Sequence, residues 1–109
     1  MKKSILNKIV KIAEKLNWSV SVDNNDLEFT KYSPAGQEFN FRVDGEDLEE
    51  VTQNINERCE NFDCSEEAYL WLDDSGHGTN GAPYDMKDLY EDMEECLTMM
   101  EELRDELEE

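Results

Sequence analysis

The apolar residues of this chain change their spacing twice, and these changes restrict the fold more than any other feature of the sequence. Ile5, Ile9, Ile12 and Leu16 recur at helical spacing and predict a first helix over residues 4–17, with Ser4 as its N-cap. Between residues 18 and 43 apolar and polar residues alternate, which is typical of half-buried strands. Helical spacing then returns. The pattern predicts one helix, a block of strands and a second block of helices.

The alternating block divides into three strands at two turn signals. Asn24-Asn25 is typical of a tight turn, and the run from Ser33 to Gly36, "SPAG", has the residue preferences of a type I turn. The apolar positions of the three runs are Trp18, Val20 and Val22; Leu27 and Phe29; and Phe39, Phe41 and Val43. We therefore expect three short antiparallel strands joined as a meander.

The rest of the chain is predicted to be helical. A helix is expected over residues 46–62, and a short one over 66–74, capped by Ser65, is favoured over a strand. A long helix follows an Asp85 cap, with an apolar seam at 4-3 spacing: Leu89, Met93, Cys96, Met100, Leu103 and Leu107. The predicted fold is a single α+β domain over residues 1–109, in which helices cover one face of a small antiparallel sheet.

The charge is distributed very unevenly. Residues 1–44 carry a net charge of +1, whereas residues 45–109 carry −20, for a total of −19. A surface this acidic repels DNA, RNA and anionic membranes, which bind to basic surfaces. The charge therefore predicts a basic protein as the partner.

The composition favours a cytosolic protein without a cofactor. Charges interrupt the first apolar run, "SILNKIVKIAEK", too early for a signal peptide, and no run has the roughly 20 apolar residues of a membrane helix. Cys59, Cys64 and Cys96 are odd in number, as expected of reduced thiols. Their spacing with His77 contains no C-x2-C pair, so we expect no metal.

The segment GHGTNG, residues 76–81, matches G-x-G-x-x-G but lacks the context of a nucleotide site. Pro83 and the Asp85 cap place the next helix beyond the last glycine, whereas a dinucleotide fingerprint opens the helix itself. Acidic residues on both sides of the segment also repel a pyrophosphate. We interpret it as an inter-helix loop that exposes His77 and Asn80 to a partner. Catalysis by His77 and calcium binding by the nearby acids are the weaker alternatives.

The strongest functional signal is the acidic surface of the last helix. Residues 86–109 hold 11 acids and two bases, which is roughly one net negative charge per 4 Å of helix, close to the spacing of about 3.4 Å along one DNA strand. We predict exposed acids as the partner-binding surface, with Tyr84 and Tyr90 as aromatic anchors. The predicted acids are Glu91, Asp92, Glu94, Glu95, Glu101, Glu102, Asp105 and Glu106 of the last helix, and Glu49 and Glu50 of the second.

Two segments resemble a family of small acidic proteins carried by phages and mobile elements of Gram-positive bacteria. They are "KYSPAGQEFNFRV" (31–43) and "EAYLWLDDSGHGTNGAPYDMKDLYEDME" (67–94). Small acidic proteins of such elements resemble inhibitors of host defence, namely anti-CRISPR proteins and anti-restriction DNA mimics. The resemblance implies a non-enzymatic inhibitor in the host bacterial cytosol, with a Cas9-type effector as the leading target.

Two other classes of function remain open at this stage. One is an acidic adaptor or antitoxin-like module whose basic partner does not bind nucleic acid. The other is an enzyme or metal protein centred on His77. The 4-3 seam of the last helix is also compatible with either a monomer or a homodimer.

Overall fold

In the computed structural model, which describes residues 1–75 and 86–109, the chain forms four helices and three strands. In chain order they are α1 (Lys3–Lys15), β1 (Ser19–Asp23), β2 (Asp26–Tyr32), β3 (Glu38–Asp44), α2 (Leu48–Glu60), α3 (Cys64–Ser75) and α4 (Met86–Glu108). This order confirms the predicted α+β arrangement, including a helix rather than a strand over residues 66–74. The predicted Asp85 cap lies outside the described residues.

The two ends of α1 are set by backbone hydrogen bonds. The N–H groups of Ile5 and Leu6 donate to the carbonyl of Lys2 at 3.1 and 3.0 Å, so Lys2 is the N-cap and the prediction of Ser4 is wrong. At the other end Trp18 N–H donates to the Ala13 carbonyl at 2.9 Å, with Asn17 at φ +70°. This is a Schellman-type stop, in which Asn replaces the usual glycine. It turns the chain so that Trp18 enters the core.

The three strands form an antiparallel sheet in the order β1-β2-β3. The register pairs Phe29 with Phe41 and Leu27 with Val43, so their side chains project from the same face. Along β3 buried and exposed residues alternate without interruption. The turn before β3 closes with a 2.9 Å hydrogen bond from Gly36 N–H to the Ser33 carbonyl, as the "SPAG" pattern predicts.

An aromatic cluster fills the space between the sheet and the helices. The Trp18 ring lies 5.4 Å from Phe41 and 6.4 Å from Phe29, both in edge-to-face contact. Phe29 and Phe41 stack at 5.1 Å. Such pairs add about 0.5–1.5 kcal/mol each beyond the apolar area that they bury. The cluster therefore anchors the strands to the helical layer.

Both α2 and α3 begin at an aspartate. Asp47 accepts a hydrogen bond from the Glu50 N–H at 2.8 Å. Asp63 accepts from the N–H groups of Ser65 and Glu66 at 3.0 and 3.2 Å, which makes Asp63 the cap of α3. The prediction of Ser65 as the cap is therefore wrong, because Ser65 already lies inside the first turn.

The apolar seam of α4 is buried along its whole length. All six predicted positions are buried: Leu89, Met93, Cys96, Met100, Leu103 and Leu107. The buried stripe is wider than the seam, because it also includes Met99 and Asp92. Contacts with α1, α2 and α3 surround the helix, so α4 is the central element of the helical layer.

Asp92 is the exception to the exposed acidic face that the sequence predicts. Its side chain is 5% exposed and connects α4 to the turn between β2 and β3. One carboxylate oxygen accepts hydrogen bonds from Ser33 Oγ and Gln37 Nε2, both at 2.6 Å, and the other accepts from Ala35 N–H at 3.1 Å. The prediction that Asp92 is exposed is wrong, because these three donors replace the water that it would otherwise bind.

We expect Asp92→Ala to lower the free energy of unfolding by about 2–4 kcal/mol, because it leaves three donors without their charged acceptor. Chemical denaturation measures the loss. Asp92→Asn should give an intermediate loss of stability. The amide of Asn keeps one acceptor oxygen, but its NH2 group replaces the other and faces a hydrogen-bond donor.

The matched control is Glu95→Ala, which removes an exposed acid from the same helix and should change stability by no more than about 0.5 kcal/mol. Equal effects of the two alanine variants would contradict a role for Asp92 in holding the turn.

Candidate functional site

The acids of α4 form a stripe opposite to its buried face. Glu91, Glu95, Glu102 and Asp105 follow 4-7-3 spacing, which keeps them on one side of a helix with 3.6 residues per turn. These four and Glu94 are exposed, as predicted, whereas Glu101 and Glu106 at the margins of the stripe are partly buried. The burial of the apolar seam therefore determines the direction in which the acids point.

The exposed negative charge of residues 86–109 is lower than the sequence alone indicates, because the carboxylate of Asp92 is buried. Without Asp92, residues 86–109 keep 10 acids and two bases, a net charge of −8. This corresponds to roughly one charge per 4.5 Å at a rise of 1.5 Å per residue. One strand of DNA carries a phosphate about every 3.4 Å. The stripe therefore still approximates a single phosphate backbone.

A second set of acids joins the stripe from α2. The two helices are held together by a 3.0 Å hydrogen bond from Arg104 Nη1 to Asn56 Oδ1. Near the C-terminal end of α4, Glu49 and Glu108 line one groove. Glu50 is exposed in the first turn of α2, next to Glu49. Acids of α2 and α4 thus meet at this groove, and we call the exposed acids of the two helices the acidic two-helix surface.

Few cations neutralise this surface. α4 contains two basic residues, Lys87 and Arg104, and α2 contains one, Arg58. Lys87 lies 4.0 Å from Glu91, and Arg104 lies 3.0 Å from Asp105. Exposed ion pairs of this kind contribute about 0–1 kcal/mol to stability. The surface therefore retains a strong negative field, which attracts basic groups.

Five lysines lie at the other extreme of the charge distribution. Lys2, Lys3, Lys8, Lys11 and Lys15 are all exposed on or next to α1, which carries a single acid, Glu14. Half of the basic residues of the chain thus lie on or next to α1 rather than on α4. The charge segregation seen in the sequence is therefore also a segregation between structural elements.

The predicted contact residues outside the acids are only partly described. Tyr90 lies on α4 and is 38% exposed, as an aromatic anchor requires. Tyr84, His77 and Asn80 lie outside the described residues, together with the glycine loop that contains the last two. Their proposed contact roles remain predictions.

The three cysteines are free thiols in different surroundings. Cys59 and Cys96 are buried and Cys64 is partly buried. Burial raises the pKa of Cys59 to about 11, and burial also raises the pKa of Cys96 and of Cys64. Within residues 1–75 and 86–109, no group of three or more His, Cys, Asp or Glu side chains has the geometry of a metal site.

The sequence interpretation missed one cavity, of about 150 Å³, between β3, α2, α3 and α4. Buried aromatic rings from β3 line it, together with the charged residues Arg58 and Glu67. The hydrophobic pattern identifies Phe39 and Phe41 as core residues. It contains no signal that the core stays open beside them, because that depends on how α2 and α3 pack.

Among the described helices, none combines the length and the apolar character that a membrane span requires. Comparisons with protein-family models, curated proteins and solved structures find no match for this chain. The function therefore has to be inferred from the surface itself.

The thermal midpoint of unfolding should rise with ionic strength, because salt screens the repulsion among the acids of the folded state. The Debye length falls from about 30 Å at 0.01 M salt to about 8 Å at 0.15 M. Calorimetry at these two concentrations measures the shift. A variant with Glu91, Glu94, Glu95 and Glu102 all changed to Gln should show a smaller shift. Equal salt dependence of the two proteins would contradict the assignment of the repulsion to this surface.

The thiols should differ in reactivity towards an aromatic disulfide reagent at about pH 8. Cys64 should react first, while Cys59 and Cys96 should react only as fast as the protein opens, because both burial and a raised pKa suppress their thiolates. Cys64→Ser should remove the fast phase. Release of three equivalents in one fast phase would show that the two buried thiols are accessible.

Proposed function

We propose that the protein is a non-enzymatic inhibitor of a host defence nuclease, and that it acts by occupying a basic nucleic-acid-binding groove. The acidic two-helix surface is the element that enters the groove. In line with the family resemblance, an anti-CRISPR protein directed against a Cas9-type effector is the leading form of this proposal. Its site of action is then the cytosol of the bacterial host.

The observation that carries the proposal is the exposed acidic stripe of α4. Residues 86–109, which contain the stripe, carry a net charge of −8 without Asp92, at roughly the spacing of one phosphate backbone. Cas9-type effectors hold nucleic acid in positively charged channels and read the PAM duplex with arginines. A helix with this charge spacing can pair with the same basic side chains.

Packing makes the stripe a rigid competitor. α4 buries its other face along its full length, and Asp92 fixes it to the turn between β2 and β3. A rigid ligand loses little conformational entropy on binding. The negative field also steers encounter with a basic groove and raises the association rate. Occupancy of the groove then suffices for inhibition, without a chemical step.

An acidic adaptor or antitoxin-like module with a different basic partner is the second candidate. Exposed apolar side chains on α3 and α4 favour it: Tyr69 is 61% exposed, Leu70 47% and Tyr90 38%. A mimic of phosphates alone has no need of such groups, whereas aromatic residues are enriched at ordinary protein interfaces. Affinity capture from host lysate separates the candidates, because one predicts a nuclease and the other a small basic toxin or similar protein.

The main test is a charge reversal of the stripe. Changing Glu91, Glu94, Glu95 and Glu102 together to Lys should weaken inhibition of DNA binding and cleavage by a guide-loaded Cas9-type nuclease about 100-fold or more. The inhibition by the unmodified protein should also fall steeply with salt.

The control changes the same amount of charge elsewhere. Glu14, Asp23, Asp26 and Glu38 are exposed acids on elements other than α2 and α4, and their change to Lys should alter inhibition only a few-fold. Equal losses from the two variants would show that only the total charge matters. Full inhibition by the stripe variant would exclude phosphate mimicry by α4.

A further inference from the structure

The cavity beside β3 combines an aromatic floor with charged groups at its rim. Phe39 and Phe62 meet edge-to-face at 5.9 Å, and Met100 also lines the cavity. A cavity of about 150 Å³ is large enough for a group of the size of a benzene ring. The cavity is therefore large enough for the end of one side chain from another molecule.

Glu67 is the acidic group that lines this cavity. Its side chain is half-buried, and no described residue donates a hydrogen bond to its carboxylate or forms an ion pair with it. Burial raises its pKa, Glu66 and Asp63 raise it further, and Arg58 lowers it. A partly desolvated carboxylate without a partner is destabilising until a cation reaches it.

Two other features of the rim also favour a cation. Asn61 is the C-cap of α2, so the negative end of the helix dipole points towards this side of the cavity. Phenylalanine rings also line the cavity, and aromatic rings attract cations, above all the planar guanidinium group. Carboxylate, helix terminus and aromatic faces thus favour the same kind of occupant.

We propose that this cavity receives an arginine side chain of a basic protein partner, with the guanidinium paired to Glu67 and the methylenes against Phe39 and Phe62. The choice of a protein side chain as occupant rests on the proposed function, in which the partner is basic. Arginine is favoured over lysine because its planar group stacks on aromatic rings and binds a carboxylate through two hydrogen bonds.

Arg58 provides a test of whether the occupant of the cavity is a cation. Its exposed guanidinium lies at the same rim and lowers the pKa of Glu67, so it competes with an incoming cation. Removing it with Arg58→Ala should strengthen the binding of arginine. An anionic or purely apolar occupant would instead bind more weakly or equally well.

The first experiment uses a blocked pentapeptide, acetyl-Lys-Gly-Arg-Gly-Lys-amide, and its counterpart with citrulline, which is neutral and nearly isosteric, in place of arginine. NMR titration should show shifts of the Phe39 and Phe62 ring protons, with the arginine peptide binding about tenfold more tightly. Equal affinities of the two peptides, or shifts confined to other residues, would overturn the proposal.

The second experiment compares Glu67→Gln with Glu66→Gln, an adjacent exposed acid that does not line the cavity. Glu67→Gln should abolish the preference for arginine while leaving the thermal midpoint at pH 7 equal or higher. The direction of this change in thermal midpoint follows from the raised pKa of Glu67. A carboxyl group whose pKa is higher in the folded state stabilises that state below its unfolded pKa, and it loses this contribution as pH rises through its folded pKa. Glu66→Gln should keep the preference. Loss of the preference in both variants, or weaker arginine binding by Arg58→Ala, would overturn the proposal.

These peptide measurements need no nuclease, so the two proposals can fail separately. Selective arginine binding together with full inhibition by the α4 charge-reversal variant would keep the cavity site and exclude phosphate mimicry. The converse, no selectivity for arginine together with loss of inhibition on charge reversal, would exclude the cavity site and support the acidic two-helix surface.

Discussion

The burial of one face of α4 is the constraint on which the rest of the structure depends. Its apolar seam fills the centre of the helical layer, in contact with all three of the other helices. Because a helix has a fixed period, burying Leu89, Met93 and their successors leaves Glu91, Glu95 and Glu102 on the opposite side. The same packing that forms the core therefore also presents the acidic stripe. A loosened α4 would lose the core and the candidate binding surface together.

The fold tolerates its charge by separating it rather than neutralising it. Five of the seven lysines lie on or next to α1, while α4 holds ten acids and two bases. Intermixing the two signs over the surface would reduce the repulsion but would also erase the negative field of α4. The one acid of α4 that is taken inside, Asp92, is supplied with three hydrogen-bond donors from a single turn. Burial of a carboxylate is tolerated where donors replace its hydration, and the remaining acids stay in water.

Local spacing was sufficient to predict the elements of this fold, because each of them has a distinct period. The meander follows from alternation and two turn signals, and the seam of α4 follows from its 4-3 spacing. The two wrong caps, Ser4 and Ser65, each lie two residues from the true one, whereas the other errors arose where a residue's role depends on distant parts of the chain. Asp92 lies three residues after Leu89, on the margin of the buried stripe, and this position was the available sign of a structural acid. Its donors, Ser33 and Gln37, lie 59 and 55 residues away in sequence, beyond the range of any local pattern. The cavity at Glu67 is likewise formed by β3, α2 and α3 together.

Under the two proposals, the acidic stripe and the cavity supply two different components of recognition. Charge on an exposed helix acts over roughly a Debye length of about 8 Å at physiological salt and accelerates encounter with any basic surface. Such a field alone does not distinguish one basic protein from another, because exposed ion pairs are weak and tolerate changes of geometry. A cavity that takes a single guanidinium group requires an arginine at one position relative to the groove, and a misplaced partner leaves Glu67 desolvated and unpaired. A partner that has both a basic groove and an arginine at the right position is therefore first attracted by charge and then selected by geometry.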